Sequence, residues 1–248
     1  MTMTAIDRLF PRPAEDLGDD ELLESLAVPP GPWLRVNFVS SVDGAATSDG
    51  LSGGLSGDAD KRVFELLRRL SDVVLVGAGT VRAEGYGPMR VSEESAAWRV
   101  ERGRPAHPVF AIVSGALDLD ARSPIFTEAP VRPIVVTTER STADQRARFE
   151  PVADVVVAGA QTVDVGAMLA AIAERGLDQV LNEGGPSLFG ALVAADRVDE
   201  LCLTVSPVLV AGDAGRIARG TLGGGRDLTL AHVLHSQGTL LLRYLRAR

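Results

Sequence analysis

The stretch Gln179-Val180-Leu181-Asn182-Glu183-Gly184-Gly185-Pro186-Ser187-Leu188-Phe189-Gly190 passes from an apolar strand, through a carboxylate and two glycines, into the start of a helix. In an open α/β sheet, ligands bind at such junctions, outside the carboxyl ends of the strands. A helix N-terminus presents unpaired N–H groups and the positive end of its dipole, and Gly184 and Gly185 carry no Cβ to keep a phosphate away. Pro186 suits the first helical turn, where a missing N–H costs nothing. The same Gly-Gly-Pro chemistry serves a plain reversal of direction, so the neighbouring segments have to decide between a phosphate cradle and a turn.

Those neighbours alternate between strand and helix patterns. Leu34 to Val39 reads as a strand by its β-branched and aromatic content, and a Gly/Ser-rich stretch, Gly44 to Gly57, leads to a helix over about Asp58 to Leu70 with Val63, Leu66, Leu67 and Leu70 at helical spacing. Asp72 to Val76 is a continuous apolar run, as expected of a strand buried on both faces of a parallel sheet. A charged loop is expected over Arg82 to Pro108, followed by short apolar runs at Val109 to Val113, Pro133 to Thr137 and Val155 to Ala158. Helices are predicted at Ser141 to Phe149, with a Ser cap, and at Val165 to Arg175, ending at Gly176. This rhythm predicts an α/β fold: a mostly parallel mixed sheet flanked by helices on both faces. The end of the chain changes character, because Glu200 to Ser206, Leu228 to His235 and Thr239 to Leu245 have little helix between them and Gln237-Gly238 suits a hairpin turn. Antiparallel strands are therefore expected to finish the sheet. Residues 1–32 read as an N-terminal extension with one short acidic helix, Asp19 to Ala27, and residues 33–248 as a single domain.

The chain has 248 residues and a formal net charge of -8, so the basic footprint of a nucleic-acid binder is missing. No apolar run approaches a membrane span and Met1 to Pro13 lacks a signal-peptide core, which makes a cytoplasmic location the expectation. The one cysteine, Cys202, lies in an apolar setting and reads as a packed thiol. His107, His232 and His235 form no zinc-binding pattern, so no metal is expected.

Gly77-Ala78-Gly79-Thr80 follows a buried strand, but the third glycine of a dinucleotide fingerprint falls on Arg82, and no Walker A loop occurs. What remains is two strand ends, each offering backbone N–H groups to an anion. Asp43-Gly44 ends the first strong strand ahead of a loop with five glycines in fourteen positions, a composition that suits a mobile lid; taken alone, an Asx-type turn is the plainer account of Asp43, since Asp-Gly is common turn chemistry.

Taken in order, Ser41-Val42-Asp43-Gly44, Ser52 to Gly57, Val76 to Pro88 and Asn182 to Leu188 resemble the reductase domain of the riboflavin-pathway deaminase/reductase, from about Trp33 to the C-terminus. The resemblance implies a dihydrofolate-reductase-like fold, a homodimer, and reduction of a ribosylamino-pyrimidine phosphate, such as 5-amino-6-(5-phosphoribosylamino)uracil, to its ribitylamino form. NADPH would deliver the hydride to the sugar carbon derived from C1. By the same resemblance Gly77, Gly79, Thr80, Glu84, Ser114, Gly184, Gly185, Pro186, Ser187, Leu188 and Phe189 would contact the nucleotide, with Gly185 to Ala191 as the pyrophosphate segment. Ser52, Arg68, Arg90 and Glu183 would hold the substrate, and Asp43 and Glu183 are the catalytic candidates. Locally, Arg68-Arg69 reads as a solvated helix face. Thr137, Thr138 and Arg140 could meet a 2′-phosphate. The deaminase signature His-x-Glu with Pro-Cys-x-x-Cys is absent, and with one cysteine it cannot be assembled. The substrate therefore stays open between the pyrimidine and a pterin such as dihydrofolate, and a non-catalytic NADPH sensor is the alternative of another class.

Overall fold

The computed structural model describes residues 4–247; residues 1–3 of the expected extension, and Arg248, lie outside the described residues. The strands are β1 (Asp7–Phe10), β2 (Trp33–Ser41), β3 (Val73–Gly77), β4 (Val109–Val113), β5 (Ile134–Thr137), β6 (Asp154–Val157), β7 (Gln179–Gly184), β8 (Glu200–Ser206), β9 (Leu228–Ser236) and β10 (Thr239–Arg246). The helices are α1 (Asp19–Ser25), α2 (Asp58–Leu70), α3 (Ala78–Ala83), α4 (Glu93–Glu101), α5 (Pro124–Thr127), α6 (Ala143–Ala147), α7 (Val165–Ala173) and α8 (Pro186–Ala194). The ten strands of the described residues form one sheet in the order β1-β9-β10-β8-β2-β7-β3-β4-β5-β6. The run from β8 through β2 to β6 is parallel, and β10 and β9 continue it antiparallel through the expected turn, where Gln237 and Gly238 both have positive φ.

Alternation along the central strands feeds two cores. On β3, Val74 and Val76 join Leu66, Leu67 and Phe110 on one face, whereas Val73 and Leu75 join Met168, Ile172 and Leu192 on the other. This two-sided burial is why the strand is an unbroken apolar run.

Besides the short helices α3 and α5, where no helix was expected, three elements depart from the sequence expectation. The charged stretch 82–108 contains α4, capped by the Ser92 hydroxyl, which accepts from Ser95 N (3.1 Å). This helix docks through a buried guanidinium: Arg99 donates to the carbonyls of Arg69, Ser71 and Pro105 around the end of α2, so apolar periodicity gives no sign of it. The predicted Ser cap of α6 is instead Thr142, which accepts from Gln145 N while the Gln145 side chain accepts from Thr142 N, a reciprocal capping box. The first residues also contribute a strand, β1, paired with the sheet edge β9, and Ile6, Leu17, Leu22 and Leu26 are buried in the core.

A charged knot fastens α1 to the sheet. Glu200, fully buried on β8, accepts from Arg35 on β2 (Nε, 2.6 Å) and Arg243 on β10 (Nε, 2.9 Å), and both guanidinium groups also donate to the carbonyls of Ser25, Leu26 and Ala27 that end α1. Cys202 packs beside it as a buried thiol whose pKa burial pushes up. His232 is also buried here; desolvation, then the charge of Arg243, lowers its pKa to about 4. Below about pH 6.5 the unfolded chain binds this proton, and the folded chain does so only near pH 4. The stability this neutral imidazole contributes is therefore complete above pH 6.5 and is lost as pH falls toward 4. Urea midpoints measured across that window are expected to fall more steeply for the wild type than for His232→Gln; parallel profiles would refute this.

Among the described residues no helix is long and apolar enough to cross a membrane.

Candidate functional site

Because β2, β7 and β3 are parallel neighbours, their carboxyl ends open on one side of the sheet. A two-lobed cleft lies there. The main lobe, about 490 Å³, has Asn37 and Phe38 of β2, Gly79 and Thr80 of α3, and Gly184 to Pro186 on its walls. A second lobe, about 340 Å³, has Arg68 and Met89, and the two share Ser52, Phe64, Thr80, Glu84, Tyr86 and Glu183.

Glycines let the backbones converge at the junction. Gly185 has φ 95° and is the N-cap of α8, with Pro186 in its first turn. A Cβ at Gly184 would stand 2.8 Å from the Thr80 methyl, and one at Gly185 would stand 3.4 Å from the Gly77 Cα. Asn182, fully buried, donates to Leu75 O (2.9 Å) and Gly184 O (3.2 Å), which bridges the point where the β3–β7 register shifts. The starts of α3 and α8 thus sit side by side, as a multiply charged anion would require.

Charge occupies the meeting point of the lobes. Arg68 grips Glu183 with two parallel hydrogen bonds, Nε to Oε1 at 2.6 Å and Nη2 to Oε2 at 2.7 Å, and stacks over Phe64 with its carbon 4.4 Å from the ring centroid. Tyr86 donates to Glu183 Oε2 at 3.4 Å. Burial disfavours the Arg68 charge, but the adjacent Glu183 carboxylate outweighs it and holds this pKa above the usual guanidinium range. Burial, reinforced by the same carboxylate, pushes Tyr86 up, so its O–H is retained as a donor. The arrangement can anchor an anion and orient hydroxyl groups within a few ångströms of the glycine turn.

The model of the RibD C-terminal domain matches residues 32–242. The chain belongs to that family. Among its relatives, the 2,5-diamino-6-ribosylamino-4(3H)-pyrimidinone 5′-phosphate reductase of Archaeoglobus fulgidus is 26% identical over 73% of this chain and 83% of its own. The enzyme of the same name from Methanothermobacter thermautotrophicus is 28% identical over 75% of this chain and 82% of its own. The solved structure of a pyrimidine reductase-like protein from Corynebacterium diphtheriae superposes with a TM-score of 0.80 at 27% identity, covering 88% of this chain and 92% of the other. The expected dihydrofolate-reductase-like fold is borne out.

In this RibD C-terminal domain, Ser52, Gly79, Thr80, Glu84, Glu183, Gly184, Gly185 and Pro186 line the main lobe, and Arg68 joins Glu183 in the second. Glu84 also ties down the Gly/Ser-rich loop after β2, accepting from Ser52 N at 2.9 Å. Gly77 packs behind the turn, and Ser187, Leu188 and Phe189 lie in α8 outside the lobe lining, with Phe189 stacked on Phe38 at 4.9 Å between centroids. Ser114 is buried at the end of β4 and donates its N–H to Val136 O (2.8 Å), while Arg90 reaches Glu128 O (2.8 Å); neither lines a lobe. Thr137 and Thr138 donate their hydroxyls to Gly115 O instead of facing the cleft.

Asp43 is not brought to the cleft either. Its carboxylate accepts from the Ser41 hydroxyl, Ala211 N (2.7 Å) and Val210 N (3.3 Å), bonds that hold its pKa below the usual carboxylate range. Conversely, Asn37, Phe38, Tyr86 and Arg219 line the cleft without having been singled out: the first two sit inside a strand pattern, and Arg219 lies in a segment with no periodicity.

Gly79 offers a clean probe, since a Cβ there meets nothing within 4 Å beyond its chain neighbours and its own helix, although the residue lines the main lobe. Gly79→Leu is expected to leave the melting temperature close to wild type and to weaken dinucleotide binding more than tenfold. Unchanged binding by titration calorimetry would show that the ligand lies elsewhere.

Proposed function

We propose that this chain is an NADPH-dependent reductase of riboflavin biosynthesis, acting on a ribosylamino-pyrimidine 5′-phosphate and producing the ribitylamino compound. The observation that carries the reading is the pairing of a glycine-lined double helix start with the Arg68–Glu183–Tyr86 cluster in one cleft. Its support outside the cleft is the similarity to the two pyrimidinone 5′-phosphate reductases.

The residues fit a dinucleotide. At Gly184 a side chain would fill the space that brings Thr80 against the turn, so backbone N–H groups at the start of α8 remain accessible to a diphosphate. When bound, NADPH supplies the hydride for the sugar carbon derived from C1. The protein's part is to hold and orient the substrate: Arg68 commits Nε and Nη2 to Glu183 and has no protein partner at Nη1 among the described residues, which suits it to a sugar phosphate at the second lobe. Glu183 accepts hydrogen bonds from ribose hydroxyls, and Phe38 and Phe64 give the lobe apolar walls. Ser52 and Glu84, bonded to each other, close the lid side.

A homodimer, a cytoplasmic location and a reductase domain over residues 33–248 belong to the same proposal. Cofactor use is testable by melting: at a hundredfold excess over Kd a ligand stabilises the native state by about 2.7 kcal/mol. NADPH is expected to raise the melting temperature by several degrees; no shift at millimolar NADPH would sink the reading.

A further inference from the structure

The segment joining β8 to β9, residues 207–227, has no regular structure yet is fastened at several points. Val208 O accepts from Val42 N (3.2 Å), the Asp43 carboxylate holds Val210 N and Ala211 N, and Gly215 O accepts from Ala46 N (2.9 Å). A further tie runs from Arg219 N–H to Pro186 O (2.8 Å) in the first turn of α8. Gly190, one turn further along, permits this approach, because a Cβ there would overlap the Arg219 carbonyl. The backbone of Arg219 is thereby fixed beside the Gly184-Gly185-Pro186 turn. Its guanidinium rests against Gly215, where a Cβ would collide with Nη2, and the residue, exposed to solvent, is among those that line the main lobe. Among the described residues that guanidinium has no ion pair and no hydrogen bond, in a chain of net charge -8. Arg68, the cation of the second lobe, is by contrast paired with Glu183 through two of its three nitrogens.

We infer that Arg219 is a phosphate-binding residue that pairs with the diphosphate of the dinucleotide at the α8 turn, an assignment that rests on the NADPH reading above. The backbone ties place the fork of N–H donors in advance, so little ordering is needed on binding. The α8 turn supplies N–H groups from one side and Arg219 a full positive charge from another. The Asp43 carboxylate then acts at a distance, holding the segment that carries Arg219.

Titration calorimetry of NADPH and NADH against wild type, Arg219→Gln and Arg219→Lys tests this. A charge-assisted contact of this kind corresponds to about 10- to 100-fold in Kd. Arg219→Gln is expected to weaken both dinucleotides by that factor and to flatten the salt dependence of binding, with Lys recovering part of the loss. The melting temperature without ligand should stay at the wild-type value, since no protein partner is removed. Values of Kd within twofold of wild type for both dinucleotides would overturn the assignment. A loss confined to NADPH would also overturn it, moving the contact to the phosphate that NADH lacks. A wild-type chain that binds neither dinucleotide, yet is folded, removes the cofactor reading itself and this assignment with it.

Discussion

Replacing Glu200 by alanine is expected to cost about 3–5 kcal/mol of folding stability, the penalty for removing one partner of a buried ion pair. Two guanidinium groups converge on this carboxylate, and Arg35, Glu200 and Arg243 are all largely excluded from solvent. Without it, two positive charges face each other with only α1 carbonyls to satisfy them. For a chain of this size the loss corresponds to a melting temperature lower by on the order of 10 °C. Calorimetry or urea unfolding reads the effect directly, and a drop below about 2 °C would contradict it. A triple replacement of Arg35, Glu200 and Arg243 by Met, Leu and Met is expected to be far milder than the single change, since well-packed apolar groups often substitute for a buried triad at little cost. That contrast separates unpaired charge from lost packing.

The largest functional effect is expected at Glu183. Glu183→Gln keeps the shape but removes the charge that orders Arg68 and, in the proposed function, the acceptor for ribose hydroxyls. A loss of one to two charge-assisted hydrogen bonds to substrate corresponds to about 10- to 100-fold or more in kcat/KM. Dinucleotide affinity should change little, because the cofactor contacts proposed here come from the glycine turn and Arg219. Steady-state kinetics with NADPH titration on the same preparation checks both halves. Full activity in Glu183→Gln would remove Glu183 from the substrate site.

Much of this molecule was legible in its sequence, for physical reasons that differ by element. The run Val73–Val76 is buried on both faces, so unbroken hydrophobicity marks it. Gly185 needs positive φ and Gly184 a missing side chain, and both requirements are written as residue types. By contrast, α4 docks through Arg99, a side chain that periodicity counts as exposed. The edge strand β1 has only four residues, two of them half-exposed, which leaves no alternation to read. Glu183 and Arg68 were expected at the substrate, but their direct pairing depends on the crossing of α2 over β7 and has no local sign. Asp43 looked like a cleft residue because it follows the first strong strand; two of its hydrogen bonds run instead to a segment more than 160 residues away. Arg219 was invisible for the converse reason, arriving at the cleft from that same irregular segment.

The central claim is that the cleft around Glu183 and the α8 turn reduces a ribosylamino-pyrimidine phosphate with NADPH. Its most direct test is single-preparation turnover: purified protein, NADPH, and either 2,5-diamino-6-ribosylamino-4(3H)-pyrimidinone 5′-phosphate or dihydrofolate, followed by loss of reduced-nicotinamide absorbance and by product mass. The predicted result is one NADPH oxidised per pyrimidine, with a product heavier by two hydrogens, and slower or no oxidation with dihydrofolate. Folded, NADPH-binding protein that leaves the pyrimidine unchanged would contradict the account.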